Sequence, residues 1–128
     1  MRTLWMGVFG LALWSGPAMA DPALGLWLTE ADKKGQVAYV DVQKCAKALC
    51  GHIVKVFNPA GQQIKHKNVG RKIFWNVTPQ GGGKYAGRAL VPVLNKEYDA
   101  EMRLSGNQMK VSGCFGPICQ SQKWKRVQ

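Results

Sequence analysis

Residues 98–124 read YDAEMRLSGNQMKVSGCFGPICQSQKW, and this stretch decides the fold class. Apolar and polar side chains alternate along residues 98–104 and again along residues 108–113. Successive side chains of a strand point to opposite faces, so this pattern is typical of strands that bury one face and expose the other. The stretch therefore predicts consecutive antiparallel strands joined by short turns.

The turns between these strands determine their register. The two-residue turn Gly106-Asn107 places Leu104 opposite Met109. A cysteine-bridged turn at the next connection places Met109 opposite Trp124, so the two turns agree on one inward row. Together with a further methionine on the same face, this row supplies the candidate ligand-facing residues of an open interior, which are Met102, Leu104, Met109 and Trp124.

The same register predicts an outward row of cations. Arg103, Lys110 and Lys123 lie directly across neighbouring strands, although like charges in that arrangement are destabilising. Two explanations are open. The long side chains extend into water at little cost, or the row binds an anionic partner.

The rest of the chain also follows the period of a strand, and no stretch keeps a helical period for three turns. Runs rich in β-branched residues are bounded by Gly, Pro, Asn or Ser, the usual mark of short strands and turns. Their number and spacing favour an all-β sandwich or barrel, with a strand end at Thr78-Pro79 and a further short strand at Val93-Leu94. About eight strands are predicted, at residues 25–29, 37–44, 51–57, 73–77, 85–90, 98–104, 108–113 and 121–127.

The first twenty residues have the layout of a secretory signal peptide. A basic start precedes an apolar run over residues 4–14 and a small-residue cleavage site that ends at Ala20. The run is shorter than the roughly 20 residues that span a bilayer, so it predicts no membrane-spanning helix. We expect cleavage after Ala20, with a signal peptide at residues 1–20, a single domain at residues 21–128 and a periplasmic location.

All four cysteines follow this leader as two C-x4-C pairs, Cys45 with Cys50 and Cys114 with Cys119. Four cysteines allow three pairings. We expect the local one, because each pair flanks four residues that form a hairpin end and exported proteins fold where disulfides persist. A zinc site made of four cysteines is the alternative, since this spacing also occurs in zinc sites. Thiol oxidoreductases use C-x-x-C, which is absent.

Two tryptophan motifs at the ends of the domain predict how a barrel would close. Gly25-Leu26-Trp27 begins the first strand, and Trp124-Lys125-Arg126 ends the last. In lipocalin-like barrels, a G-x-W on the first strand lies beside an arginine of the last strand whose guanidinium covers the indole. The resemblance implies an antiparallel lipocalin-like (calycin-type) barrel of about eight strands, with Trp27 and Arg126 in contact.

The chain after the leader also resembles a family of small secreted proteobacterial proteins that is known as a domain of unknown function. The motifs that carry the resemblance are Gly25-Leu26-Trp27, Leu49-Cys50-Gly51-His52-Ile53, Asn58-Pro59, Val111-Ser112-Gly113-Cys114 and Cys119-Gln120-Ser121-Gln122-Lys123-Trp124-Lys125-Arg126. The match covers nearly the whole domain. It implies a lipocalin-like barrel and a periplasmic location, and it supplies no catalytic or ligand-binding residues.

Few residues suggest catalysis. His52 and His66 are the only histidines, and neither lies near a motif for a serine or cysteine nucleophile. The segment Gly81-Gly82-Gly83-Lys84 lacks the earlier glycine and the following Ser or Thr of a phosphate-binding loop, so it is interpreted as a hairpin turn. We therefore expect no enzyme activity, no metal and no cofactor.

A formal net charge of +11 is the strongest compositional signal. Cations gather in and around the long loop at residues 58–72, which predicts a second anion-docking element beside the outward row. A basic patch is typical of nucleic-acid binding, but export argues against that partner. The candidate anion-docking residues of the loop are Lys65, Lys67, Arg71 and Lys72.

Two classes of function remain. The first is a monomeric, non-enzymatic binding protein for a small apolar or amphipathic ligand at the mouth of the barrel, since eight strands leave room for one small ligand at most. The second is an interaction protein that docks an anionic lipid, glycan or protein of the cell envelope through its cationic exterior. An open barrel interior would favour the first class.

Overall fold

The computed structural model describes residues 20–128, and the regular structure in that range is β-strand throughout. The predicted signal peptide falls almost entirely on residues 1–19, which lie outside the described residues. The strands in chain order are β1 (Gly25–Leu28), β2 (Val37–Cys45), β3 (Ala48–Phe57), β4 (Gln63–Ile64), β5 (Lys72–Gly81), β6 (Lys84–Val91), β7 (Lys96–Ser105), β8 (Gln108–Phe115) and β9 (Ile118–Arg126).

Eight of these strands close into an antiparallel barrel. Neighbours in the ring follow the order β2-β1-β9-β8-β7-β6-β5-β3, and the pairing of β2 with β3 completes the circle. The short β4 pairs with the last two residues of β3, beyond the point where β3 pairs with β5. The predicted fold class, a closed antiparallel barrel of eight strands, is confirmed.

The C-terminal strands pair in the predicted register. Leu104 lies opposite Met109, and Met109 lies opposite Trp124. On the other face, Lys110 lies between Arg103 and Lys123. Both rows therefore follow from local turn lengths alone, as the alternation predicts.

Two strand predictions were wrong. β5 continues to Gly81 instead of ending at Pro79, because Pro79 lies where β5 still pairs with β6 but no longer with β3. A proline is tolerated on a strand with one free side, since its missing N–H then breaks no ladder bond. Val93 and Leu94 lie in the turn between β6 and β7 rather than in a strand.

The barrel has two ends of different structure. At the closed end lie the β2–β3, β5–β6 and β7–β8 hairpins together with the segment 21–24 that precedes β1. At the open end lie the connections at residues 29–36, 58–71, 92–95 and 116–117.

The hydrophobic core fills the closed half of the barrel. Trp27, Val40 and Met109 are fully buried there, and Met102 and Tyr85 pack around them. Among the described residues, no polar or charged side chain is buried in this core. Burial of such large apolar side chains supplies the main driving force for folding.

A bulge in β5 adds two more large side chains to the core. Asn76 has a φ of 54°, and the pairing of β5 with β6 shifts between Trp75 and Thr78. Phe74 and Val77 both join the core as a result. A regular strand would point residues three apart to opposite faces, so only the bulge makes this possible.

Candidate ligand-binding cavity

The open half of the barrel holds a cavity of about 670 Å³. Phe74 and Trp124 form its floor, with ring centroids 6.2 Å apart. Ile53, Val56 and Val111 line its walls. Small-molecule sites typically enclose about 300–1,000 Å³ and are mostly apolar, so this cavity has the size and lining of a ligand site.

Small side chains create this space. Ala38, Ala89 and Gly113 lie on three different strands, and each lines the cavity. A Cβ added at Gly113 would meet only the Tyr98 Cβ, at the ordinary contact distance of 3.8 Å. At Gly51 on β3, by contrast, an added Cβ would overlap the Phe74 ring.

One wall of the cavity is polar. Gln120 and Gln122 precede Trp124 at two-residue intervals on β9, and both line the cavity. The Trp124 Nε1–H donates to Gln122 Oε1 at 2.9 Å, which holds the Gln122 amide against the floor. The cavity therefore offers amide groups on one side and hydrocarbon on the other.

The mouth of the cavity carries carboxylates. Glu30 accepts a hydrogen bond from the backbone N–H of Lys123, and Asp32 accepts two from the turn that follows it. Both carboxylates line the cavity, and among the described lining residues none is a lysine or an arginine. Although the chain has a net charge of +11, the cavity thus offers no lysine or arginine side chain to an anion.

The predicted ligand-facing row divides at the floor of the cavity. Trp124 lines the cavity, whereas Met102, Leu104 and Met109 are not among its lining residues. Met102 and Met109 lie in the closed-half core, and Leu104 packs against that core. Alternation along a strand determines which face a side chain occupies, but not its height along the barrel axis.

Sequence reasoning missed most of the residues that do line the cavity. Ala38 and Gly113 have no large side chain to mark them, and the two glutamines were not singled out. A usable signal was present: from Trp124 back along β9, the inward positions change from aromatic to amide.

At the closed end, Arg126 covers Trp27. The guanidinium carbon lies 4.4 Å from the centroid of the Trp27 ring, a cation–π contact. The guanidinium N–H groups donate to the carbonyl oxygens of Leu24 and Pro22. The indole Nε1–H donates to the Ala23 carbonyl at 2.9 Å, so the fully buried ring leaves no N–H unpaired.

Comparison with known families and structures agrees with this geometry. Residues 25–126 match the model of a family described as uncharacterized protein conserved in bacteria, DUF2147. The chain belongs to this family. No curated protein matches this DUF2147 member significantly.

Among solved structures, the DUF2147 member is similar to protein HP1028 from the human pathogen Helicobacter pylori, described as belonging to the lipocalin family. The two chains share 15% sequence identity over 82% of each chain, with a TM-score of 0.66. A likeness at this identity establishes the fold, a lipocalin-like barrel. The resemblance drawn from the sequence motifs is confirmed at both levels, family and fold.

A contact between Asp21 and Tyr85 also closes this end of the DUF2147 barrel, and the sequence held no signal for it. The Tyr85 hydroxyl donates to Asp21 Oδ1 at 2.6 Å, and the Ala23 N–H donates to the same oxygen at 2.8 Å. Burial of the ring, and then the hydrogen bond to Asp21 and its negative charge, raise the pKa of Tyr85 well above its usual range.

This pKa shift predicts an alkaline loss of stability. The tyrosine of the unfolded chain ionises near about pH 10, whereas in the folded barrel it ionises only at higher pH. The contribution of Tyr85 is therefore complete below about pH 10 and falls as the pH rises toward the folded pKa. We expect the free energy of unfolding of the parent protein to fall more steeply between about pH 10 and 12 than that of Tyr85→Phe. Parallel curves in urea titrations would contradict the assignment.

The disulfides lie at opposite ends of the barrel. Cys45 and Cys50 join across the β2–β3 hairpin at the closed end, and Cys114 and Cys119 join across the β8–β9 hairpin at the open end. A single zinc ion cannot be reached from both ends. Two disulfides are consistent with an exported protein.

The predicted anion-docking residues fall into two groups, one on the side wall of the barrel and one at its open end. Arg103, Lys110 and Lys123 form an exposed outer row on the side wall of the barrel, and Lys84 extends it across the next strand. The loop with Lys65, Lys67, Arg71 and Lys72 belongs to the open end instead. The structure therefore does not bring the two groups together on one surface.

The histidines and acidic residues form no metal-ligand cluster in the described range. His66 Nδ1 accepts a hydrogen bond from the Asn68 N–H at 3.1 Å and lies at the mouth of the cavity. Within residues 20–128, no three His, Cys, Asp or Glu side chains are grouped as metal ligands would be. The same range contains no helix of the length and apolarity needed to cross a membrane.

Proposed function

We propose that this protein is an exported, periplasmic, non-enzymatic binding protein for one small apolar or amphipathic molecule. The observation that carries the proposal is the cavity of about 670 Å³ in the open half of the barrel. The lipocalin-like fold supports it, because eight-stranded barrels hold one small ligand where side chains leave the interior open. The leader sequence and the disulfides support the location.

The lining residues indicate the chemical class of the ligand. Phe74 and Trp124 offer two aromatic surfaces for a hydrocarbon or ring, and Gln120 and Gln122 offer amide groups for one polar function. Carboxylates at the mouth and the lack of lysine and arginine among the described lining residues disfavour an anionic head group. The ligand we propose is therefore neutral or cationic rather than a fatty acid.

Filling the cavity tests the proposal. Gly113→Trp adds a large side chain where a Cβ is accepted at 3.8 Å from its neighbour. We expect the parent protein to enhance the fluorescence of the neutral dye N-phenyl-1-naphthylamine, and we expect Gly113→Trp to give no enhancement. The melting temperature of Gly113→Trp should equal that of the parent. The matched control is Lys110→Trp, which places the same side chain on the outer face of the same strand and should bind as the parent does.

Competition against the bound dye tests the head-group assignment. Decanol and decylamine should displace the dye at lower concentrations than decanoate does, because only decanoate brings an anion into a cavity without lysine or arginine. A parent protein that never enhances the dye, or a Gly113→Trp variant that enhances it equally, would refute the cavity as a ligand site. Preferential displacement by decanoate would refute the head-group class alone.

A further inference from the structure

The most exposed large apolar side chains of the described chain gather at the open end. Val93 and Leu94 form the tip of the β6–β7 turn and are 88% and 57% exposed. Phe115 and Ile118 flank the tip of the β8–β9 hairpin and are 75% and 71% exposed. All four line the cavity, and together they are called the open-end rim below.

Their exposure is not typical of the rest of the surface. The other exposed large apolar residues, Val54, Val69 and Val127, are 37–43% exposed. The Phe115 ring is held by edge-on contact with the Tyr98 ring, with centroids 6.4 Å apart, so it projects from a fixed position. The disulfide between Cys114 and Cys119 closes the same hairpin. Grouped and exposed apolar side chains of this kind mark an interaction surface.

Cations surround the rim. Lysines and an arginine on two of the connections at the open end, and a lysine at the first residue of β7, face solvent or are half-buried. The carboxylates there are Glu30, Asp32 and Glu97, half as many as the cations, and Glu97 lies 3.7 Å from the Arg88 guanidinium. The cations concerned are Lys33, Lys34, Lys65, Lys67, Arg71 and Lys96.

We infer that the open-end rim docks the barrel onto an anionic phospholipid bilayer, with the two apolar tips among the lipid headgroups and the cations on the phosphates. Apolar tips within a ring of cations match the chemistry of such a surface, which is apolar beneath an anionic layer. A second copy of the chain would bring two cationic rings together, so charge disfavours a rim-to-rim dimer. Docked in this way, the mouth of the cavity faces the bilayer.

Vesicle sedimentation tests the apolar part of this surface. We expect the protein to sediment with vesicles of phosphatidylcholine and phosphatidylglycerol, and the double variant Leu94→Asp with Ile118→Asp to bind at least tenfold more weakly. The matched control is Val54→Asp with Val127→Asp, which adds the same two charges at exposed valines away from the rim. Equal loss in both double variants would show a simple effect of net charge and overturn the proposal.

Two charge-matched triple variants test the cationic part. Replacing Lys65, Lys67 and Lys96 with Gln removes three charges at the rim, and replacing Arg103, Lys110 and Lys123 with Gln removes three on the outer row of the side wall. We expect only the rim variant to lose vesicle binding, and we expect parental binding to fall steeply with salt as the screening length shortens. Loss in the outer-row variant alone would place docking on the side wall and overturn the inference.

Separate outcomes distinguish this docking from the proposed ligand site. Gly113→Trp should sediment with vesicles as the parent does, because docking uses the rim and does not require the cavity. Equal binding to pure phosphatidylcholine vesicles, or absence of binding to both, would overturn the inference whatever the dye shows. A rim variant that changes the elution volume on a sizing column but not vesicle binding would assign the rim to self-association instead.

Discussion

Replacing Trp27 with alanine is expected to lower the free energy of unfolding by about 3–5 kcal/mol, the range for removing a large aromatic side chain from a core. The Trp27 ring is fully buried among the residues of the closed half. Its removal would also leave the Ala23 carbonyl and the Arg126 guanidinium without the indole that they contact. Because these contacts join the first strand to the last, the loss acts at the closure of the barrel.

Urea unfolding of two tryptophan variants checks this expectation. Trp75 belongs to β5 and is only half-buried, so Trp75→Ala removes the same side chain without opening the core. We expect its cost to be well below that of Trp27→Ala. A Trp27→Ala barrel that unfolds at the same urea concentration as Trp75→Ala would show that the closed end does not depend on the indole.

Replacing Gly87 with alanine is expected to cost about 1–3 kcal/mol or more, although only one methyl group is added. A Cβ at Gly87 would lie 2.8 Å from the carbonyl oxygens of Trp75 and Asn76 and 2.7 Å from Val77 Cγ2. Two of these atoms are backbone atoms of the β5 bulge, so no side-chain rotation relieves the overlap. The bulge itself would have to move, and with it Phe74 and Val77.

Gly113→Ala provides the control for Gly87→Ala. Both glycines lie within barrel strands, but a Cβ at Gly113 approaches nothing closer than 3.8 Å. The melting temperature of Gly113→Ala should equal or exceed that of the parent, because alanine restricts the unfolded chain more than glycine does. Similar melting temperatures for both variants would mean that the bulge is not the rigid element inferred here.

A large part of the fold could be predicted because its determinants are local. The inward row through Met109 depends on alternation and on two turns, each a few residues long, so neighbouring residues contain the information. The contact of Trp27 with Arg126 could be predicted for another reason, because closing an all-β chain brings its first and last strands together. The disulfides, like the inward row, could be predicted from local sequence, because each one joins the two strands of a single hairpin.

The residues that line the cavity were harder to predict from the sequence, because lining depends on the height of a side chain along the barrel axis. Met102 and Trp124 face inward equally, yet one lies in the packed half and the other lines the cavity. Nothing in the period of a strand distinguishes them. The boundary between the halves depends on where Phe74 and Trp124 meet, and these residues are distant in sequence.

The sequence by itself determined the strand period and the register of the C-terminal strands, because turn lengths and side-chain alternation act over a few residues. It also determined the pairing of the chain ends, because closing an all-β chain brings its first and last strands together. Only the tertiary structure decided the β5 bulge at Asn76, the bond between Tyr85 and Asp21, and the open half of the barrel. Each of these depends on atoms that closure brings together from distant parts of the chain. A cavity in particular is the space that side chains from several strands jointly leave empty, and no single stretch of sequence contains it.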